Sequence, residues 1–154
     1  MSVAFRRESD EEHLEPKFEL PSPVGPNLVT AAGPALIADR IAQLEARIDG
    51  ASDVEILEIK RDLRYWTTRR ATATVTPAPA DGTVGFGVSA TIRMAGRERT
   101  ITLVGDDETD PASDRIAYSA PLARALIGAE VGEIVPFNGR DDAIEILAIV
   151  PVDR

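Results

Sequence analysis

The sequence contains no cysteine and only one histidine, His13, in 154 residues. Without cysteine there are no disulfides, no thiol catalysis and no thiolate zinc sites, as is typical of proteins in a reducing cytosol. His13 lies in a polar N-terminal stretch, where we expect a solvated side chain rather than a catalytic base. No catalytic triad or phosphate-binding glycine loop compensates for these absences. We therefore expect a cytoplasmic protein without intrinsic enzymatic activity or a tightly bound cofactor.

Long apolar runs are also missing, although hydrophobic residues make up 44% of the chain. No run approaches the ~20 residues that a membrane-spanning helix needs, and the N-terminus lacks the apolar core of a secretory signal. We expect no membrane association. The net charge of −9 argues against strong independent DNA binding, because lysine and arginine contacts to phosphate dominate that affinity.

Changes in composition and period divide the chain into three predicted parts. Residues 1–27 are rich in proline and charge, which predicts a flexible tail. Residues 28–71 predict an antiparallel hairpin of two helices, each about 18 residues or about 27 Å long. Residues 72–154 change to a period of two and predict five or six antiparallel strands crossed by one helix. The predicted fold class is therefore α+β.

Each predicted helix of the hairpin carries a narrow apolar stripe and recognisable end signals. Thr30 is expected to cap the first helix, which should end at Gly50. Ser52 and Glu55 have the S-x-x-E spacing of a capping box for the second helix. The stripe residues recur at spacings of three and four: Ile37, Ile41, Leu44 and Ile48, then Ile56, Ile59, Leu63 and Trp66.

The C-terminal part combines several motifs in the stretch VGDDETDPASDRIAYSAPLARALIGAEVGE, residues 104–133. Residues 105–110, here called the acidic turn, precede a predicted short strand at residues 116–118. A helix over residues 121–127 begins with proline and ends before a glycine. The other predicted strands cover residues 72–76, 84–94, 99–104, 133–137 and 143–150, with a turn at Ala95-Gly96 between the second and the third. Glycines 85 and 87 indicate a bulge or a close backbone approach.

This order of motifs resembles the GreA/GreB family of bacterial transcription factors over about residues 27–150. Residues 84–87, the acidic turn and residues 121–128 carry the resemblance. It implies an N-terminal antiparallel two-helix coiled coil, followed by an FKBP-like antiparallel sheet with one helix. It also implies that the partner is RNA polymerase, bound beside its secondary channel.

The resemblance places the polymerase contact in the loop that enters the C-terminal helix. The corresponding positions are Ser119, Ala120 and Pro121, here called the helix-entry loop, with Arg124 nearby. The family commonly has serine where this chain has Ala120, so one hydroxyl is absent from the loop. Proline is also favoured at a helix start for structural reasons alone.

In the family, acidic residues at the coiled-coil tip approach the catalytic Mg²⁺ of the polymerase. Two carboxylates there help to hold a second magnesium and orient the attacking water. The tip of this chain, residues 49–55, offers Asp49, Asp53 and Glu55, and Asp53 is the main candidate for a shared Mg²⁺. The alternative is helix capping, which favours the same residue types.

Helix length decides between two functions that the resemblance allows. Cleavage-competent family members have longer helices, and ten fewer residues per helix would leave the tip ~15 Å short. The shorter hairpin resembles regulators of nucleoside diphosphate kinase, which are Gre-like proteins with a stubby coiled coil. We therefore expect an elongation regulator with weak or no stimulation of transcript cleavage. A genuine cleavage factor is the alternative.

A basic patch and the predicted fold raise two further possibilities. Lys60, Arg61 and Arg64 lie on the second helix, where the family has a patch facing extruded RNA, so we expect either contact with nascent RNA or ion pairs with Asp62 and Glu58. The FKBP-like fold also suggests a peptidyl-prolyl isomerase. Fold alone does not carry that function, and the aromatic residues of the C-terminal half are few: Phe86, Tyr118 and Phe137.

Overall fold

A computed structural model of the chain describes residues 19–152. His13 and most of the predicted tail lie outside the described residues. The described chain forms two compact units, one containing residues 19–25 and 35–72 and the other residues 26–34 and 73–152. Residues 28–34, which we predicted as part of the helical hairpin, therefore belong to the second unit.

Two helices make up most of the first unit. Helix α1 (Gly33–Ala46) has 14 residues and lies in this unit from residue 35 onward, and α2 (Asp53–Thr72) has 20. The predicted end of α1 at Gly50 is wrong by about one turn, because the amides of Arg47 and Ile48 bond to carbonyls three residues back and tighten the chain out of the α-helix. The predicted stripes supply the buried apolar residues of the helices: Ile37, Ile41, Leu44 and Ile59.

The second unit contains a mixed sheet of five strands and a separate pair of two-residue strands. The pair is β1 (Leu28–Val29) with β2 (Thr74–Val75). The five strands, in the spatial order β5-β4-β3-β7-β6, are β3 (Val88–Met94), β4 (Arg97–Val104), β5 (Arg115–Ala117), β6 (Ile134–Phe137) and β7 (Arg140–Pro151). The chain is thus α+β, as predicted.

Two strand pairs correct the prediction of a wholly antiparallel sheet. Strands β4 and β5 run parallel, as do β1 and β2. Between β4 and β5, residues 106–108 and 111–113 form two short 3₁₀ turns. These turns carry the chain back beside β4 before β5 begins, so that β5 repeats the direction of β4 instead of reversing it.

Local signals placed the central hairpin correctly. Ala95 and Gly96 have φ values of 53° and 74°, which gives β3 and β4 the two-residue turn that suits their twist. The predicted strand over residues 84–94 begins only at Val88. The predicted close approach occurs at Gly85, where a Cβ atom would lie 2.5 Å from Pro79 Cγ. The predicted strand at residues 72–76 is also shorter, because Thr72 still belongs to α2.

A single apolar core lies against the five-stranded sheet and holds helix α3 (Pro121–Leu126) in place. Buried and half-buried residues alternate along β3, as expected for a strand with one covered face. Ala123 and Leu126 of α3 are fully buried in this core. The core residues of the strands are Ala90, Ile92, Ile101, Leu103, Val135, Ile144 and Ile146.

Candidate functional site

The helix-entry loop is held in place by side chains on both sides of it. Ala120 occupies the N-cap position of α3, and Pro121 is the first helical residue. Alanine has no side-chain acceptor for the free amides of the first turn, so the loop lacks the usual cap. Ser119 instead donates a hydrogen bond from Oγ to Asp106 Oδ1 at 2.8 Å. Ser119, Pro121 and Arg124 are all exposed.

Tyr118 gives the loop a second attachment, to the chain just before β1. Its hydroxyl donates to the carbonyl oxygen of Pro26 at 2.7 Å. Its ring meets Phe86 edge to face, with centroids 5.3 Å apart. Its backbone amide bonds to Val104 at the end of β4. The residues on either side of the loop are therefore fixed before any partner arrives.

The acidic turn contains a buried carboxylate that we did not single out from the sequence. Glu108 is only 3% exposed. Its Oε1 atom accepts hydrogen bonds from the amides of Thr30 at 3.0 Å and Gly105 at 2.9 Å, and its Oε2 atom accepts one from the Thr30 hydroxyl. The prediction that Thr30 caps α1 is wrong, because the helix begins only at Gly33, three residues later, and the Thr30 hydroxyl donates to Glu108 instead.

Two glycines make room for this carboxylate. A Cβ atom at Gly105 would lie 2.3 Å from the Leu28 carbonyl oxygen and 2.7 Å from Glu108 Oε1. A Cβ atom at Gly33 would lie 2.5 Å from Val29 Cβ and 3.2 Å from Glu108 Oε2. Such distances are below normal van der Waals contact, so a side chain at either position requires the structure to move. The glycine at the start of the acidic turn is the sequence signal that could have indicated this close backbone approach.

The predicted tip residues are exposed, and one of them has a clear structural role. Ser52 and Glu55 form the predicted capping box: the Ser52 amide donates to Glu55 Oε1 at 3.1 Å, and the Glu55 amide donates to Ser52 Oγ at 3.2 Å. The bonds from Ser52 lower the pKa of Glu55. Asp49 and Asp53 are exposed beside this cap. Within residues 19–152, no three acidic or histidine side chains are grouped as metal ligands.

Two of the three residues in the predicted basic patch are paired with acids. Arg61 contacts Asp62 at 3.1 Å, as one of our two interpretations predicted. Arg64 Nε lies 2.8 and 2.9 Å from the two carboxylate oxygens of Glu19. Lys60 is exposed. Glu19 was assigned to the flexible tail, so this pair was not foreseen.

Acidification should break the contact between Glu19 and Arg64. The hydrogen bond from Arg64 lowers the pKa of Glu19 below its usual value of 4.5. A lowered pKa means that the contact is intact above pH 4.5 and is lost as the pH falls through the lowered value. We expect a carboxyl ¹³C titration to give a midpoint below 4.5 for Glu19. The midpoint should return towards 4.5 in Arg64→Gln but not in the charge-matched control Lys60→Gln. Equal midpoints in the wild type and Arg64→Gln would contradict the pairing.

The comparisons with known proteins agree on one family. Residues 78–151, which include the acidic turn and the helix-entry loop, match the family model described as "Transcription elongation factor, GreA/GreB, C-term". Through this part, the chain belongs to the GreA/GreB family. It is 41% identical over 99 residues to transcription elongation factor GreB of Neisseria meningitidis, covering 60% of each chain. It is 32% identical over 117 residues to transcription elongation factor GreA of Thioalkalivibrio sulfidiphilus, covering 73% of this chain and 62% of the relative.

The chain thus spans about 60% of the length of these curated GreA/GreB relatives. Among solved structures, it is similar to GreA factor homolog 1 of Thermus thermophilus, with 14% identity and a TM-score of 0.38 over 82% of this chain and 99% of that one. A GreA/GreB factor from Nitrosomonas europaea matches with 18% identity and a TM-score of 0.38, over 82% and 98% of the two chains. In the part of the chain that the structure describes, no helix is both long and apolar enough to cross a membrane.

Proposed function

We propose that the chain is a transcription elongation regulator that binds RNA polymerase at its secondary channel through the helix-entry loop. The single observation that carries the proposal is the GreA/GreB match over residues 78–151, which contain the loop and the turn that holds it. The geometry of the loop supports this. Ser119, Pro121 and Arg124 are exposed, while Tyr118 and Ala123 on either side are anchored by a hydrogen bond and by burial. A preorganised loop loses little conformational freedom on binding.

We further propose that stimulation of transcript cleavage is weak or absent. Helices of 14 and 20 residues are about 21 Å and about 30 Å long. A carboxylate must come within about 2.1 Å of a magnesium ion to bind it, so the reach of the tip decides the activity. Asp49 and Asp53 offer two exposed carboxylates, and Glu55 is engaged in the cap. These residues can add ligands to a Mg²⁺ that the polymerase already holds but do not form a complete site.

A role for the basic patch in binding nascent RNA has less support. Arg61 and Arg64 already contact carboxylates, so RNA would have to displace Asp62 and Glu19. The net charge of −9 also opposes a polyanion. Independent binding to RNA or DNA is therefore expected to be weak and strongly dependent on salt.

Within residues 19–152, the positions of the aromatic rings give no support to the isomerase alternative. Phe86 is buried against Tyr118. Phe137 lines a different cavity of about 540 Å³, beside Met94 and Ile134. An isomerase site would need these aromatic rings to line one common pocket.

The decisive experiment uses a backtracked elongation complex and the full-length chain. Binding is measured by fluorescence anisotropy with labelled protein, and cleavage by the release of 3′ RNA fragments. We expect binding without release, together with inhibition of an added cleavage-competent Gre factor. Fragment release that disappears in Asp53→Asn would favour the cleavage alternative. Absence of binding would refute the proposed function.

A pair of arginine variants tests whether the helix-entry loop is the docking site. Arg124 is exposed in the last turn of α3, and Arg97 is exposed at the start of β4. Both changes to alanine remove one positive charge. We expect Arg124→Ala to weaken polymerase binding about tenfold, equivalent to about 1.4 kcal/mol, and Arg97→Ala to weaken it little. Equal effects of the two variants would place the contact elsewhere.

A further inference from the structure

The buried carboxylate of Glu108 joins segments that are far apart in sequence. It is 3% exposed and accepts three hydrogen bonds, two from Thr30 and one from Gly105. Burial of a carboxylate is unfavourable unless such bonds replace water. Thr30 directly follows β1, and Gly105 opens the acidic turn. Glu108 therefore fastens the acidic turn to the chain beside β1, across 78 residues of sequence.

The two segments that Glu108 joins are also the two that hold the residues around the helix-entry loop. Asp106, two residues before Glu108, accepts the hydrogen bond from Ser119. Pro26, four residues before Thr30, accepts the hydrogen bond from Tyr118. The Glu108 carbonyl also accepts a long bond of 3.4 Å from Arg115 Nε at the start of β5. A shift of Glu108 would thus move Asp106 and Pro26, the two residues that accept hydrogen bonds from Ser119 and Tyr118.

We propose that Glu108 is a positioning residue for partner binding: it fixes the acidic turn and the β1 segment so that Ser119 and Pro121 face the polymerase. The inference rests on the proposed function. Glu108 touches no partner itself and acts through Asp106 and Ser119. The glycines at positions 33 and 105 serve the same arrangement, since they leave the space that the carboxylate occupies.

Three variants of the full-length chain test the proposal by their affinity for the polymerase elongation complex. Thr30→Val removes one hydroxyl donor and keeps the Thr30 amide bond to Glu108. We expect it to weaken binding about tenfold, because part of the free energy of this hydrogen bond to a charged group holds the helix-entry loop in its binding position. Glu108→Ala should weaken binding further. Glu108→Gln should restore most of it, because the amide oxygen still accepts from both backbone amides and the amide nitrogen donates to the Thr30 hydroxyl.

Two controls separate positioning from simple loss of stability. Ile92→Val removes one methyl group from the apolar core against the five-stranded sheet and should leave binding unchanged. In a double-mutant cycle, Thr30→Val should have a smaller effect on binding when Ser119 is already alanine, because both changes loosen the same connection. Additive effects, or normal binding by Thr30→Val, would overturn the inference while leaving the proposed function intact. A wild-type chain that does not bind polymerase would overturn both.

Discussion

Replacing Gly105 with alanine is expected to lower the free energy of unfolding by about 3 kcal/mol. The added Cβ atom would lie 2.3 Å from the Leu28 carbonyl oxygen and 2.7 Å from Glu108 Oε1. A flexible side chain can rotate away from such a contact, but a backbone carbonyl cannot, so the acidic turn and the β1 segment must separate. The backbone at Gly105 has a φ of −68°. Alanine adopts this value easily, and the whole effect is therefore attributed to the clash.

Gly82→Ala is the control for this experiment. Gly82 has a φ of 79° but nothing within 4 Å of the position of a Cβ atom. This change introduces backbone strain of about 1 kcal/mol without a clash. Calorimetric unfolding of both variants should give a clearly lower free energy of unfolding for Gly105→Ala than for Gly82→Ala. A Gly105→Ala chain as stable as the Gly82→Ala chain would contradict the close approach of these segments.

The parts of the structure that the sequence predicted are those that depend on neighbouring residues. The capping box of Ser52 and Glu55 spans three residues, and both of its bonds form. The turn at Ala95-Gly96 joins two strands whose side chains alternate along the sequence. Helix α3 begins at Pro121, as predicted, because proline suits the first helical position. Each of these signals lies within a single turn or hairpin.

The parts that escaped prediction depend on residues far apart in the chain. Nothing near Thr30 indicates that its hydroxyl bonds to a carboxylate 78 residues away, and a short-range interpretation therefore made it a helix cap. Likewise, the parallel direction of β5 follows from two 3₁₀ turns, whose sequence is equally compatible with a simple reversal. One sequence alone does not specify which distant partner a polar residue will find.

In the candidate site too, contacts between neighbouring residues were predicted and contacts between distant residues were not. The helix-entry loop was located from its serine, alanine and proline together with the resemblance, but not the bond from Ser119 to Asp106 that holds it. One of the two interpretations of the basic patch named Asp62 as an ion-pair partner, and Asp62 contacts Arg61, its neighbour in sequence. Neither interpretation identified Glu19 as the partner of Arg64, because the two are 45 residues apart. The resemblance thus proposed which residues contact a partner, and the structure shows how these residues are held.

Leu126→Ala should have the second large effect, lowering the free energy of unfolding by about 3 kcal/mol. Helix α3 has only six residues, too few to be stable alone. Leu126 and Ala123 are its fully buried residues, so removing the leucine side chain leaves a cavity under the helix. Loosening α3 also releases one side of the helix-entry loop. We therefore expect weaker polymerase binding together with the loss of stability.

The adjacent residue supplies a matched control, because Ile127 is similar in size but 46% exposed. Ile127→Ala should change the free energy of unfolding by less than about 1 kcal/mol. Denaturant titration followed by circular dichroism measures the free energy of unfolding of both variants. Fluorescence anisotropy with the elongation complex measures their affinity for the polymerase. If Ile127→Ala weakens binding while Leu126→Ala does not, the exposed end of α3 contacts the polymerase directly. The docking surface would then lie at the C-terminal end of the helix rather than at its entry loop.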